Sequence, residues 1–270
     1  MQEKNLVELS KALNELYEQY NRRDYVSPDP LQFLYHYTSS ENIELAGIVS
    51  SSFAFGNVKN IINFLDKIFY IISPPYDFIK NSSEKEILKT FKGMKYRFAD
   101  DKEISSFFIA LKRVYERYSS LYKMFMREYI KKKSILNATY FFLNKMRELS
   151  SNNIKTLIPS PSKESACKRF FLFLRWMVRK DDVDLGVWEK IDKKDLIIPL
   201  DTHMFKIAKE LKLLKRNTPD LKAAIEITRN FKLISNNDPV KYDFVLTRFG
   251  IHPVINKIFK GGASWIIHYG

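Results

Sequence analysis

Apolar residues recur at intervals of three and four positions along most of this chain, and strict alternation of apolar and polar residues is rare. The first segment shows the pattern clearly, with Leu6, Leu9, Leu13 and Leu16 at helical spacing. This spacing places apolar side chains on one face of an α-helix, whereas strands repeat every two residues. Only 8 glycines and 10 prolines interrupt the 270 residues. The pattern therefore predicts an all-α protein.

The helical segments are expected to form two lobes with a cleft between them. The lobes cover residues 40–150 and 151–250, and segments 1–39 and 251–270 pack around them as parts of a single unit, 1–270. Capping residues, glycine and proline indicate the helix ends. The predicted helices are Leu6 to Tyr17, Ile43 to Phe55, Val58 to Ile72, Glu84 to Phe91, Ile104 to Tyr129, Ser134 to Leu149, Ser165 to Val178, Asp201 to Leu213, one opening at Thr218-Pro219-Asp220, and one from Asn237 to Gly250.

The charge balance is strongly basic. Lysine and arginine total 45 against 31 acidic residues, which gives a formal net charge of +14. An excess of this size is typical of proteins that bind nucleic acid or an anionic membrane surface. It is also the ordinary solvated surface of a protein from a lysine-rich proteome, and charge alone does not choose between the two.

Cysteine use and apolar runs exclude several classes of protein. Cys167 is the only cysteine, which excludes an intramolecular disulfide framework and any cluster that needs several cysteines from one chain. A reducing, cytoplasmic location is therefore expected. The most apolar stretch, Ile61 to Ile72, contains Asp66 and Lys67 and is too short to span a bilayer, so no membrane partner is expected.

Asp201 lies where the extended apolar segment Ile197-Ile198-Pro199-Leu200 turns into a helix. Aspartate is among the best helix N-caps, so Asp201 is explained by capping alone. A fixed, ionised carboxylate that faces a cleft could also stabilise a developing oxocarbenium ion. His203 follows closely, but the other histidines show no ligand spacing, and we expect neither a metal nor another cofactor.

Lys168 lies near the start of another predicted helix, on the face that carries Phe171, Leu172 and Arg175. Partial burial and the positive end of the helix dipole both favour the neutral form of an amine. A neutral lysine can attack a sugar carbon and form a Schiff base. Helical lysines are more commonly surface charges, and the spacing leaves both interpretations open.

The segment from Pro199 to Ile207 resembles the Val-Asp-Thr-His segment of the helix-hairpin-helix DNA glycosylase superfamily. The separation of 33 residues between Lys168 and Asp201 is similar to that in archaeal 8-oxoguanine glycosylases. The whole chain also resembles a largely uncharacterised bacterial family, through the stretches Ser165–Arg169, Phe173–Arg179 and Asp184–Trp188.

The resemblance implies a glycosylase-like fold and a DNA glycosylase with AP lyase activity, acting on an oxidised purine that is expected to be 8-oxoguanine. Lys168 would be the nucleophile at C1′ and Asp201 the assisting carboxylate. The partner would be double-stranded DNA with a damaged base, bound by a monomer. The same hypothesis predicts further site residues. Those that would bind the substrate are Arg175, Asp243, Phe171 and Phe244, and those that would bind DNA are Ser162, Lys163, Ser165 and His203.

The predicted hairpin departs from the superfamily pattern. It runs from Pro159 to Ser165 without a glycine, although glycine lets backbone N–H groups approach a DNA phosphate closely. Lys163 and the serine hydroxyls could supply that contact, with Lys193 and Lys194 as further phosphate contacts. Two other interpretations stay open: a non-catalytic nucleic-acid-binding protein on the same fold, and a helical scaffold in which Asp201 is only a cap and Lys168 only a surface charge.

Overall fold

The computed structural model describes residues 3–160 and 165–248, and within these ranges the chain is helical with no β-strand. The prediction of an all-α protein is confirmed. The twelve α-helices of the described ranges are α1 Glu3–Tyr20, α2 Ser40–Ser52, α3 Val58–Ile72, α4 Pro75–Asn81, α5 Glu84–Thr90, α6 Asp101–Tyr118, α7 Leu121–Lys132, α8 Ile135–Glu148, α9 Lys168–Val178, α10 Thr202–Glu210, α11 Leu221–Lys232 and α12 Asp243–Thr247. Three short 3-10 helices cover Arg23–Tyr25, Pro30–His36 and Lys193–Asp195. None of the described helices is both long and apolar enough to cross a membrane.

The chain divides into two compact units. One consists of Phe33–Ser162, and the other combines Met1–Gln32 with Lys163–Gly270. The first has an aromatic core in which the rings of Phe91 and Phe108 stack with centroids 4.4 Å apart. In the second unit α1 packs against α12, and the amine of Lys241 donates a 2.7 Å hydrogen bond to the Asn14 side chain.

The predicted helix from Ile104 to Tyr129 is wrong, because it is divided into α6 and α7. Ser119 adopts a left-handed conformation, with φ of 68°, which ends α6. Ser120 then caps α7, and its hydroxyl accepts a 3.0 Å hydrogen bond from the backbone N–H of Lys123. The apolar spacing continues across the junction, so periodicity alone did not reveal the break.

A buried carboxylate stabilises the junction between α6 and α7. Glu44 on α2 is 3% exposed, and its two oxygens accept hydrogen bonds from the backbone N–H groups of Leu121 and Tyr122, at 2.9 and 3.1 Å. The hydroxyl of Tyr115 donates to the same carboxylate at 2.5 Å. Burial and the adjacent carboxylate raise the pKa of Tyr115 far above its ordinary value, so the hydroxyl remains a donor. Glu44 therefore caps α7 from a different helix.

Other helix ends also differ from expectation. The helix predicted to begin at Ser165 begins at Lys168, because Cys167 takes a left-handed conformation with φ of 47°. The helix predicted from Asn237 begins only at Asp243, because the Asp238 carboxylate is bound to Arg179 and does not cap a helix. The predicted caps at Ser162 and Gly250 lie outside the described residues.

One more boundary needs correction, and one short helix was not predicted. The helix opening at Asp201 ends at Glu210, before the expected Leu213. The predicted break at Pro74-Pro75 is followed at once by α4, because proline suits the first position of a helix, where its missing N–H has no intrahelical partner.

Replacing Glu44 with alanine should lower the free energy of unfolding by about 3 kcal/mol, since two buried N–H groups lose their acceptors. Urea denaturation followed by circular dichroism measures this. Glu116→Ala is the matched control, because the Glu116 side chain is exposed where it pairs with Lys112 on α6 at 3.2 Å. This substitution should cost less than about 1 kcal/mol. Equal effects of the two substitutions would contradict the role given to Glu44.

Candidate functional site

Two helix N-termini meet at the candidate site. Lys168 is the first residue of α9, and Asp201 is the N-cap of α10. The lysine Nζ lies 3.3 Å from Oδ2 of the aspartate. The other carboxylate oxygen, Oδ1, accepts a 2.7 Å hydrogen bond from the backbone N–H of Met204. Asp201 therefore caps α10 with one oxygen and contacts the lysine with the other.

The segments before both helices set these positions. Pro199 precedes Leu200 and Asp201 in an extended stretch, whose entry is fixed by a 3.0 Å hydrogen bond from the Ile198 N–H to the Thr228 hydroxyl. The side chain of Lys168 is 36% exposed and that of Asp201 is 17% exposed. Solvent therefore reaches the amine, while the carboxylate is mostly covered.

The pair lies on a cavity of about 60 Å³, which has room for about two water molecules. Besides the pair, the cavity is lined by Asp29, Leu172, Arg175, Pro199, Asp243, Phe244, Thr247 and Arg248. All of these residues belong to the unit formed by Met1–Gln32 and Lys163–Gly270. The wall carries three basic and three acidic side chains, so its charges are nearly balanced.

Asp243 contributes a carboxylate that is only partly satisfied. Its Oδ2 accepts a 2.5 Å hydrogen bond from Arg175, while Oδ1 is buried and has no hydrogen-bond partner among the described residues. Burial raises the pKa of Asp243 to about 6, helped by the negative charge of Asp201 and opposed by Arg175. A buried acceptor without a partner is costly, which makes Oδ1 the natural place for a ligand N–H or O–H group.

Arg175 belongs to a buried network of guanidinium and carboxylate groups. Asp184 accepts a 3.2 Å hydrogen bond from Arg175 and a 2.5 Å hydrogen bond from Arg179. Arg179 also contacts both oxygens of Asp238, at 3.1 and 3.0 Å. Its third carboxylate partner is Asp181, at 2.8 Å. Because each guanidinium is paired several times, the network compensates the desolvation of its charges.

The N-terminal segment closes one side of the cavity. The side chain of Arg248 is 1% exposed and forms an ion pair with Asp29, and its Nη1 donates a 3.3 Å hydrogen bond to the carbonyl of Val26. The guanidinium carbon of Arg248 lies 4.7 Å from the centre of the Phe244 ring. Arg175 approaches the same ring, at 6.0 Å. The ring of Phe244 thus lies within cation–π distance of two guanidinium groups at the cavity wall.

Five of the six predicted catalytic and substrate-binding residues come together here. Lys168, Asp201, Arg175, Asp243 and Phe244 all line the cavity. Phe171 does not: it is 1% exposed within the core, and Leu172 provides the lining side chain at that level of α9.

The residues predicted to contact DNA are not gathered in the cavity. The Ser165 hydroxyl accepts a 3.3 Å hydrogen bond from the N–H of Cys167, just before α9. His203 is exposed on α10, and Lys194 forms an exposed ion pair with Asp192 at 2.7 Å. The predicted contacts Ser162 and Lys163 lie outside the described residues. No cluster of metal-ligating side chains occurs in residues 3–160 and 165–248.

Sequence reasoning missed Asp29 and Arg248, and it placed Leu172 on the helix face of Lys168 without assigning it to the site. Arg248 lies one turn after Phe244, so helical spacing from a predicted residue would have found it. Asp29 gave no such signal, because its partner Arg248 is 219 residues away in sequence.

The described residues thus define an all-helical protein in which a lysine and a carboxylate meet at a small charged cavity. A family model described as "Protein of unknown function (DUF2400)" matches residues 29–252, and the chain belongs to this family. No curated protein and no solved structure matches the chain. The matched range begins at Asp29 and includes every residue that lines the cavity.

Asp243→Asn should change the pH dependence of stability. The carboxyl pKa of about 6 lies above its ordinary value of 3.8, so its neutral form favours folding at low pH and this contribution is lost as pH rises through 6. Asparagine cannot ionise. Between roughly pH 4 and pH 8, the unfolding free energy of the variant minus that of wild type should rise by about 2 kcal/mol. Urea titrations across this range measure it, and a constant or falling difference would contradict the raised pKa.

Proposed function

We propose that this protein is a DNA glycosylase with AP lyase activity, built on a helix-hairpin-helix glycosylase-like fold. The observation that carries the proposal is the 3.3 Å contact between the Lys168 amine and the Asp201 carboxylate at a cavity wall. An amine and a carboxylate in this arrangement are the two groups that lysine-mediated cleavage of a sugar–base bond requires.

The proposed reaction begins with the transfer of a proton from the Lys168 ammonium to a base, for which the Asp201 carboxylate is the nearest acceptor. The neutral amine then forms a bond to C1′ as the bond from C1′ to the base breaks, and the departing base takes up the proton that Asp201 had accepted. The carboxylate of Asp201, ionised again, stabilises the positive charge that develops on the sugar. Opening of the sugar ring gives a Schiff base, from which β-elimination releases the 3′ strand.

The damaged base would be an oxidised purine, with 8-oxoguanine as the proposed substrate, flipped out of the duplex towards the cavity. Asp243 would accept a hydrogen bond from an N–H group of the base through its unpartnered Oδ1, with Arg175 holding the other oxygen. The ring of Phe244 would pack against the base. A purine needs more room than two water molecules, so the proposal requires the 60 Å³ cavity to widen when DNA binds.

The net charge of +14 supports a polyanionic partner. Double-stranded DNA with a damaged base is the proposed partner, acted on in the cytoplasm by a monomer. His203 is exposed on α10, close in sequence to Asp201, and Ser165 is half-buried just before Lys168. Both are proposed as DNA contacts, together with Ser162 and Lys163.

A second candidate is a non-catalytic nucleic-acid-binding protein on the same fold. Two observations favour it: the segment from Pro159 to Ser165 contains no glycine, and the cavity is smaller than a purine. This alternative predicts salt-sensitive DNA binding without preference for damaged bases.

Replacing Lys168 with alanine should abolish both base release and the covalent adduct that borohydride traps, because no amine remains to form the Schiff base. The measurement uses duplexes that carry a panel of lesions, including 8-oxoguanine, with gel analysis of released base and trapped complex. Lys222→Ala is the control, since Lys222 is exposed at the start of α11. Trapping that survives in Lys168→Ala would refute the nucleophile assignment, and wild-type binding without base release would favour the non-catalytic candidate.

Replacing Asp201 with asparagine separates catalysis from capping. Asparagine caps helices about as well as aspartate, so the free energy of unfolding should change by less than about 1 kcal/mol. Base release should fall about 100-fold or more, because the negative charge beside the sugar is lost. A stable variant with unchanged base release would show that Asp201 is only a cap, and loss of stability with no DNA binding by wild type would support the scaffold reading.

A further inference from the structure

The unit Phe33–Ser162 has a larger cavity of its own, about 360 Å³ in volume. One wall is a single face of α3, formed by Asn60, Asn63, Phe64 and Lys67 at helical spacing. The volume is within the range of small-molecule sites. We call this cavity, with its second wall at Lys95–Arg97, the basic pocket.

The second wall is a fixed turn. Tyr96 is 5% exposed, its ring centroid lies 4.5 Å from that of Phe64, and its hydroxyl donates a 2.8 Å hydrogen bond to the carbonyl of Phe55. The backbone groups of Tyr96 and Ala99 exchange two hydrogen bonds of 2.9 Å. Because Tyr96 is anchored inward, its neighbours on either side carry their charged side chains at the surface of the pocket.

Arg97 is held in an uncommon backbone conformation, with φ of 52°. Its side chain lies across Gly56, where an added Cβ would come within 2.4 Å of the Arg97 Nη1 atom. Gly56 itself has a φ of 107°, which residues with side chains rarely adopt. Strain at a charged residue persists only where the surrounding structure imposes it, and such residues cluster at ligand sites.

The charge of the basic pocket is entirely positive. Lys67, Lys95 and Arg97 line it, no carboxylate does, and none of the three forms an ion pair within the described part of the chain. This differs from Arg175 and Arg179, whose charges are neutralised by aspartates. Cations supplemented by the two carboxamides of α3 are the donors that recognise a phosphate group.

Two exposed aromatic residues adjoin lining residues of the basic pocket. Tyr70 is 91% exposed on α3, one turn after Lys67, and Phe98 is 78% exposed directly after Arg97, whose guanidinium carbon lies 5.5 Å from the ring centre. These are the two most exposed large hydrophobic side chains among the described residues. Aromatic rings beside a cationic groove are the means by which proteins stack the bases of unpaired nucleotides.

We propose that the basic pocket binds a nucleotide unit. The phosphate is held by Lys67, Lys95 and Arg97, and the base stacks on Phe98 or Tyr70. The same chemistry is present in a free nucleotide and in an unpaired nucleotide of a single strand. The proposal is independent of Lys168 and of glycosidic cleavage.

The test uses the full-length protein and two probes: AMP in isothermal titration calorimetry, and a fluorescently labelled, undamaged oligodeoxythymidylate in anisotropy titrations. The triple variant Lys67→Gln/Lys95→Gln/Arg97→Gln should bind the responding probe at least about tenfold more weakly and with a shallower salt dependence. The matched control is Lys131→Gln/Lys132→Gln/Lys133→Gln, which removes the same charge from an exposed run in the same unit and should bind as wild type does.

A second variant, Tyr70→Ala/Phe98→Ala, tests stacking, and should weaken binding about tenfold while leaving the salt dependence unchanged. Binding of AMP identifies a free nucleotide as a sufficient ligand, whereas binding of the oligonucleotide alone identifies a single strand. The proposal is overturned if neither probe binds wild type, or if both triple variants weaken binding equally. Lys168→Ala should not affect this binding, so the outcome is separate from that of the glycosylase proposal.

Discussion

The arrangement of the site depends on one interaction, the pairing of the buried Asp184 carboxylate with both Arg175 and Arg179. Two guanidinium groups in the interior are tolerated only when carboxylates surround them, because an unpaired buried charge costs several kcal/mol. Carboxylates from several parts of the chain therefore pack against the C-terminal half of α9. Arg175 pairs with Asp243 at the start of α12, and Arg179 pairs with Asp238 in the preceding loop.

This charge pairing also determines what the first turn of α9 faces. Lys168 lies two turns before Arg175 on the same helix, so the pairing that fixes Arg175 against α12 also orients the lysine towards the cavity. Asp201 approaches from α10, whose first turn its own carboxylate stabilises. The N-cap at Asp201 is a local interaction, and the ion-pair network around Arg175 is non-local. Both adjoin the cavity, and Lys168 lies between them.

The sequence predicted the elements whose cause is local. Helical spacing gave the all-α class, and α3 has the expected bounds because Asn57 and Ser73 flank it with capping geometry at both ends. Prediction failed where a distant partner overrides a local rule. Asp238 has the chemistry of an N-cap but binds Arg179, and Glu44 caps a helix that begins 77 residues later.

The same division applies to the site. Asp201 could be predicted from the sequence because it follows a proline at the point where helical spacing begins. Arg175 could be predicted because it lies on the same helix face as the lysine. Phe171 shows the weakness of that reasoning, since a neighbouring position on α9 carries the lining side chain. Asp29 was not accessible, because its place in the wall depends on an ion pair across most of the chain.

The pairing of Asp29 with Arg248 has a consequence for the order in which the protein is assembled during synthesis. Arg248 follows Asp29 by 219 positions and must leave the ribosome before the cavity wall can close, whereas Phe33–Ser162 is a continuous segment whose internal contacts are all available much earlier. Contacts of large sequence separation form slowly because loop closure must precede them. The nascent chain is therefore expected to complete its inserted unit first, and the N-terminal segment can form its ion pair only after Arg248 has been synthesised.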